Sequence, residues 1–157
     1  MKVAAKKSST QKAPTKGKVV YMILGGEKNI HRAVNSELDY LDLSIHGIPK
    51  SSIISIAEYL DIPMKDMADL VNLSPKTLER KKNTDLLSEV VSSQAIEIAS
   101  TIAHGIEVFD DMETFKHWLN KENRAIAGKK PLEIMNTATG LKIINTILTR
   151  IEEGVYS

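Results

Sequence analysis

The chain has 157 residues, a formal net charge of +1, 42% hydrophobic and 26% charged residues, and no cysteine. That size suits one ordinary domain, or two small helical ones sharing a core, and excludes a barrel enzyme; the missing thiols exclude disulfides, thiol catalysis and the usual structural zinc sites. Residues 1–18 carry six lysines and no acid, which leaves the other 139 residues at −5, so nucleic acid can be met only through that arm or a local patch.

In chain order, residues 1–18 are Lys, Ser, Thr, Ala, Gln, Pro and Gly apart from Met1 and Val3. Such a mixture buries too little apolar surface to offset its ordering entropy, and a disordered basic arm is expected. No apolar run approaches a membrane span and no apolar signal core opens the chain, so a cytoplasmic protein with no membrane partner is expected. Val19 to Leu24, and then Tyr40, Leu41, Leu43 and Ile45, are short apolar runs that strand and helix fit equally. They are expected to dock onto the body or a second subunit.

From Ser51 the spacing turns helical through Ile53, Ile54, Ala57 and Leu60 and ends near Pro63. Met64 to Val71 predicts a short helix with Met67, Leu70 and Val71 inward. Asn72 tolerates the left-handed turn that follows, and Ser74-Pro75 reads as an N-cap with proline in the first turn. The next helix, Pro75 to about Lys82, turns Leu78 inward and Lys76, Thr77, Arg80, Lys81 and Lys82 outward. Two short helices about a tight turn, the second with a basic outer face, form a helix-turn-helix pattern. Ser74, Lys76, Thr77, Arg80, Lys81 and Lys82 are its expected DNA contacts.

A long helix is predicted from about Leu86 to Phe109 on the stripe Val91, Ala95, Ile98, Ile102, Ile106 and Phe109, with Gly105 as a candidate break. Asp110 and Glu113 suggest a capping box for a helix bearing Met112, Phe115, Trp118 and Leu119 on one face. A polar stretch from Asn120 to Lys130 and a restart at Pro131 lead to a last helix, Gly140 to Glu153, with Leu141, Ile144, Ile147, Leu148 and Ile151 inward and Gly154 as its stop.

Catalytic candidates are thin. His31, His46, His104 and His117 have no partner at a ligand spacing, Gly25-Gly26 is not a phosphate loop, and adjacent acids such as Glu152-Glu153 do not face one another on a helix. No enzyme activity and no cofactor is expected.

Leu73 to Lys82, within the segment Leu60 to Lys82, resembles the Xre-like helix-turn-helix of antitoxins. The half after it resembles the toxin-binding domain named for Xre, MbcA and ParS. The residues that carry this are Val108-Phe109-Asp110-Asp111, Trp118-Leu119, Asn123, Gly128, Pro131-Leu132-Glu133-Ile134-Met135, Thr137, Gly140, Leu148 and Arg150-Ile151-Glu152-Glu153-Gly154-Val155-Tyr156, in the family's order. The resemblance implies the antitoxin of a type II toxin–antitoxin pair whose toxin has the RES fold and depletes NAD. It implies an all-α fold, a tail of Arg150, Glu152, Glu153, Gly154, Val155 and Tyr156 that obstructs the toxin's active site, and operator binding that represses the operon. Trp118, Asn123, Pro131 and Gly140 are implied to shape the fold presenting that tail. Two stretches depart from the family: Ser92, Ser93, Gln94, Glu97 and Ser100 stand where arginines are frequent, and Glu122 where a proline often precedes the asparagine.

The expected organisation is a disordered basic arm over 1–18, a helix-turn-helix DNA-binding and dimerisation region over 19–86, and a toxin-binding domain over 87–157. A homodimer within a larger toxin–antitoxin complex is expected, because one short recognition helix reads too few base pairs. The alternative is a helix-turn-helix transcriptional regulator whose C-terminal half only dimerises.

Overall fold

The computed structural model describes residues 12–155. Among them every regular element is helical: α1 Lys16–Ile23, α2 Glu37–His46, α3 Lys50–Leu60, α4 Met64–Leu70, α5 Pro75–Arg80, α6 Glu89–Phe109, α7 Met112–Leu119 and α8 Ala138–Glu152, with short 3-10 turns at Gly26–Lys28, Arg124–Ile126 and Pro131–Ile134. None of these helices is long and apolar enough to cross a membrane.

Both ambiguous apolar runs are helices. Val20, Ile23 and Leu24 are buried where α1 packs against α6 and α3. Ser36 and Asp39 form a reciprocal capping box that starts α2. The helical chain begins at Lys16, capped by Thr15, so the basic segment read as disordered over 1–18 is helical in its last three residues. The reason is that Val20 and Ile23 give α1 a face to bury; the earlier part of that expected arm, residues 1–11, lies outside the described residues.

The centre of the fold is α6, which packs against α1, α2, α3, α7 and α8. Ala95, Ile98, Ala99 and Ile102 are fully enclosed there, and Ser88 caps the start of the helix by accepting from the Val91 N–H at 3.3 Å. The helix starts at Glu89 because residues 85–87 pair instead with the start of α3: Lys50 N–H donates to Asp85 O at 3.0 Å and Leu87 N–H to Ile48 O at 2.9 Å. Gly105 does not break it. The Phe115 ring of α7 occupies the space a Gly105 side chain would need, so the missing Cβ serves close packing rather than a bend.

The start of α7 also differs from expectation. Asp110, with φ +65°, ends α6, and Asp111 is the cap. Its carboxylate accepts from the Thr114 N–H at 2.7 Å and the Thr114 hydroxyl at 2.6 Å. Thr137 likewise caps α8 by accepting from the Gly140 N–H at 2.9 Å, which starts that helix at Ala138. Leu141, Ile144 and Leu148 are buried as expected, whereas Ile147 and Ile151 are only half-buried.

Candidate functional site

Two surfaces carry the residues singled out in the sequence. The first is built from α4, the turn after it and α5. Asn72 adopts the left-handed conformation, φ +59°, and lets the chain reverse. Met67, Leu70, Val71 and Leu78 then close the angle between the helices from inside. Ser74 Oγ accepts from the Thr77 N–H at 3.1 Å and shares a 2.7 Å hydrogen bond with the Thr77 hydroxyl. Both hydroxyls therefore stabilise the first turn of α5, although both residues are exposed.

Lys76, Arg80 and Lys82 are exposed and Lys81 is half-exposed. None of the four forms an ion pair among the described residues, so their charges are available to an external anion. Sequence reasoning missed Lys50, whose Nζ reaches from the start of α3 to Lys81 O at 2.9 Å and Glu79 O at 3.5 Å. A cation at carbonyls that end a helix is the favourable electrostatic arrangement. The basic stretch is thereby fastened to the body.

The second surface is the outer side of α8 and its end. Ile143, 40% exposed, and half-buried Ile147 and Ile151 recur at four-residue spacing, and Val155, 54% exposed, continues the series beyond the helix. Together they make an apolar stripe beside the buried row. The helix closes on Gly154, φ +71°: Gly154 N–H donates to Ile151 O at 3.1 Å and Val155 N–H to Arg150 O at 2.8 Å. This paired closure is the Schellman arrangement. It fixes the direction in which Val155 leaves the helix; a residue with a Cβ would be strained at position 154.

Arg150 and Glu153 are exposed and, with Lys142, Asn145, Thr146 and Thr149, line a shallow cleft of about 430 Å³. Glu152 turns back instead, with Oε2 3.6 Å from His104 Nε2. Tyr156, the expected anchor of the tail, lies outside the described residues.

Hydrogen bonds that sequence reasoning did not find hold these surfaces in place. His104 Nδ1 donates to Asn145 Oδ1 at 2.8 Å, and Asn145 Nδ2 donates to Thr101 Oγ1 and Leu141 O, each at 2.9 Å. Gln94 Nε2 donates to Leu70 O at 3.1 Å and Met135 O at 3.0 Å, and Asn72 Nδ2 to Asn136 O at 3.0 Å. The helix-turn-helix is thus tied to the segment that leads into α8. Trp118 is half-buried against Phe109 and Phe115, with ring centroids 5.7 and 6.0 Å away, in keeping with a core anchor. Asn123 caps the turn Arg124–Ile126, and Pro131 is buried.

Among the described residues no three His, Asp or Glu side chains cluster as a metal site. His31 and His117 are exposed and His46 pairs with Asp42 at 3.2 Å. The arrangement is one of surfaces held rigid by a helical frame, suited to binding.

Comparison with known proteins bears on both surfaces. Residues 39–100 match the antitoxin Xre-like helix-turn-helix domain, and residues 104–154 match the antitoxin Xre/MbcA/ParS C-terminal toxin-binding domain. A curated protein of Sphingobium sp. (strain YBL2), described as a Prs ADP-ribosylating antitoxin, is 24% identical over 140 residues, spanning 83% of this chain and 87% of its own. Among solved structures, the M. tuberculosis MbcT-MbcA toxin-antitoxin complex contains a chain that is 17% identical, with a TM-score of 0.48 over 79% of this chain and 100% of its own. The two domain matches adjoin within α6 and together take in both surfaces: the chain belongs to the Xre/MbcA/ParS antitoxins, with an Xre-like helix-turn-helix ahead of a C-terminal toxin-binding domain.

Proposed function

We propose that the chain neutralises a RES-type toxin that consumes NAD, by laying the outer stripe of α8 on the toxin and directing the segment from Arg150 to Tyr156 toward its active-site entrance. The observation that carries this reading is the apolar series Ile143, Ile147, Ile151 and Val155, which ends on the fixed closure at Gly154 inside the matched toxin-binding segment. A few apolar anchors with a polar rim are what a tight protein interface needs, and Arg150 and Glu153 provide the rim.

The same protein binds operator DNA through α5 and represses its operon from the cytoplasm. Lys76, Arg80, Lys81 and Lys82 contact phosphates, while Ser74 and Thr77 set the first turn against the groove. It acts as a two-fold dimer and carries out no catalysis of its own.

A second reading of the toxin's chemistry is favoured by the Sphingobium relative, whose description names ADP-ribosylation of Prs. In that version the toxin passes ADP-ribose from NAD to a protein instead of destroying NAD. The test is co-expression of the toxin with the full chain and with a chain ended after Gly154, scoring growth, cellular NAD and ADP-ribosylated protein. Rescue by the full chain alone supports the obstructing tail, and the NAD and ADP-ribose readings separate the two chemistries. Equal rescue by both chains would refute obstruction by the tail. No rescue by either would leave a transcriptional regulator whose C-terminal half serves dimerisation.

A further inference from the structure

Helices α6 and α8 are joined by a chain of polar side chains that runs from the core to the last residue of α8. Thr101, fully buried, accepts from Asn145 Nδ2, whose other proton goes to Leu141 O. Both amide protons of Asn145 are thereby used, and its Oδ1 can only accept. His104, with a side chain 12% exposed, meets that oxygen through Nδ1 at 2.8 Å. The bond requires a proton on Nδ1, so the neutral imidazole is held with its lone pair on Nε2. Nε2 in turn lies 3.6 Å from Oε2 of Glu152.

Two acceptors make no hydrogen bond. With a neutral imidazole, the Nε2 lone pair opposes the Glu152 carboxylate, and Glu152 is left to turn to solvent, where half of its side chain already lies. A second proton on the ring makes Nε2 a donor and gives the pair opposite charges. Histidine is the side chain that makes this change between about pH 5 and 8. Among the described residues Glu152 is the one charged group within ion-pairing distance of His104. Of the other charged groups on the helices around it, Glu107 on α6 is exposed, Glu113 and Lys116 on α7 pair with each other, and Arg150 and Glu153 on α8 line the shallow outer cleft. Lys16 and Glu37, from α1 and α2, line a separate cleft together with Glu97 of α6.

We propose that His104 is a positioning residue for toxin capture and acts as a proton-operated latch. As imidazolium it holds Glu152 against α6 and steadies the closure that aims Val155; without its second proton it lets that closure fray. Glu152 stands between the carbonyls of Arg150 and Ile151, which accept, and the N–H groups of Val155 and Gly154, which donate to them, so its side chain anchors the turn from within. The antitoxin therefore grips its toxin more tightly on acidification and releases it more readily as the pH rises. The role in toxin capture rests on the proposed reading of the α8 end, whereas the latch is a property of the free chain.

The test begins with the free full-length protein. Imidazole nitrogen chemical shifts are expected to show His104 with its proton on Nδ1 at high pH and with protons on both nitrogens at low pH. Amide protection factors at residues 151–155 should be about two- to fivefold higher near pH 5.5 than near pH 8, the size of a half-exposed ion pair. His104→Gln and Glu152→Gln should each abolish that difference; Glu152 is exposed, so its variant decides if His104→Gln fails to fold. A neutral His104 with its proton on Nε2, or a pH dependence that survives in Glu152→Gln, overturns the latch. Affinity for purified toxin, taken as the ratio of wild type to His104→Gln so that the toxin's own titration cancels, should rise by a similar factor on acidification. A ratio flat with pH beside a working latch overturns the role in toxin capture. Equal rescue by a chain ended after Gly154 counts against the obstructing tail alone, because the protection factors of the free chain still decide the latch.

Discussion

Gly105 of α6 and Phe115 of α7 meet so closely that a methyl group on the glycine would overlap the ring. That contact lets Phe115 be fully buried and brings Phe109, Phe115 and Trp118 into one cluster with centroid separations of 5.7 to 6.0 Å. Gly105→Ala gains up to about 1 kcal/mol of helix propensity but incurs overpacking of about 1–3 kcal/mol. A net loss is expected, seen as a lower urea midpoint at constant slope; an unchanged midpoint would mean α7 moves aside freely.

Asn145 joins the fully buried Thr101 hydroxyl to His104 and to its own helix. Asn145→Ala strands that hydroxyl and should cost about 1–3 kcal/mol. Because His104 also faces Glu152, amide exchange should quicken most in the last turns of α8. Exchange that rises evenly over the whole chain would argue against a local latch.

The stripe on α8 predicts a split between folding and binding. Ile143 is 40% exposed, so Ile143→Asp should leave the thermal midpoint nearly unchanged. If Ile143 sits in the toxin contact, its replacement should weaken toxin affinity by about 30-fold or more, the effect of losing an interfacial hot spot. Titration calorimetry or surface binding with purified toxin reads this directly, and an unaltered affinity would place the toxin elsewhere.

For operator DNA, Lys76→Ala and Arg80→Ala should each weaken binding across sequences and lower the slope of log affinity against log salt by about one. Toxin rescue should persist in both variants. A slope that stays at the wild-type value would remove these side chains from the phosphate contacts.

Three groups set the expected pH limits. The Asn35 N–H and the Ser36 hydroxyl hold the Asp39 carboxyl below its ordinary value of 3.8, and the Thr114 hydroxyl and N–H do the same for Asp111. Depressed carboxyls stabilise the fold above their unfolded value, so the caps of α2 and α7 should fray as pH falls below about 3.8. Burial pushes the Tyr40 phenol up from 10.0 to about 12, and its hydroxyl donates to Gly17 O. That group stabilises the fold fully below pH 10.0, and the contribution fades toward pH 12, loosening α1 from α2. Carboxyl chemical shifts and phenolate absorbance would follow the two limbs; a Tyr40 that titrates near 10 would contradict its burial.

The helix-turn-helix was legible because its signals are local: Met67, Leu70, Val71 and Leu78 at helical spacing, Asn72 at the turn, and Ser74-Pro75 at a helix start. The stop at Gly154 was legible for the same reason, since a glycine after an apolar series meets a backbone demand that its neighbours along the chain already define. The short runs around Val20 and Leu43 were not. Strand and helix fit six apolar residues equally, and packing onto α6 decides between them. The start of α7 at Asp111 rather than Asp110 turned on which acid could reach Thr114.

The sequence by itself determined the helical class, the basic outer face of α5 and the order of motifs that marks the family. Only the tertiary structure decided that Lys50 closes the end of α5, that Gln94 and Asn72 bind the helix-turn-helix to the entry of α8, that Ile147 and Ile151 stay half-exposed, and that α2 shows Leu38, Leu41 and Ile45 to solvent. Periodicity along a helix reports which residues share a face. Whether another element covers that face depends on contacts between residues far apart in the chain, and those form only when the whole core closes around α6.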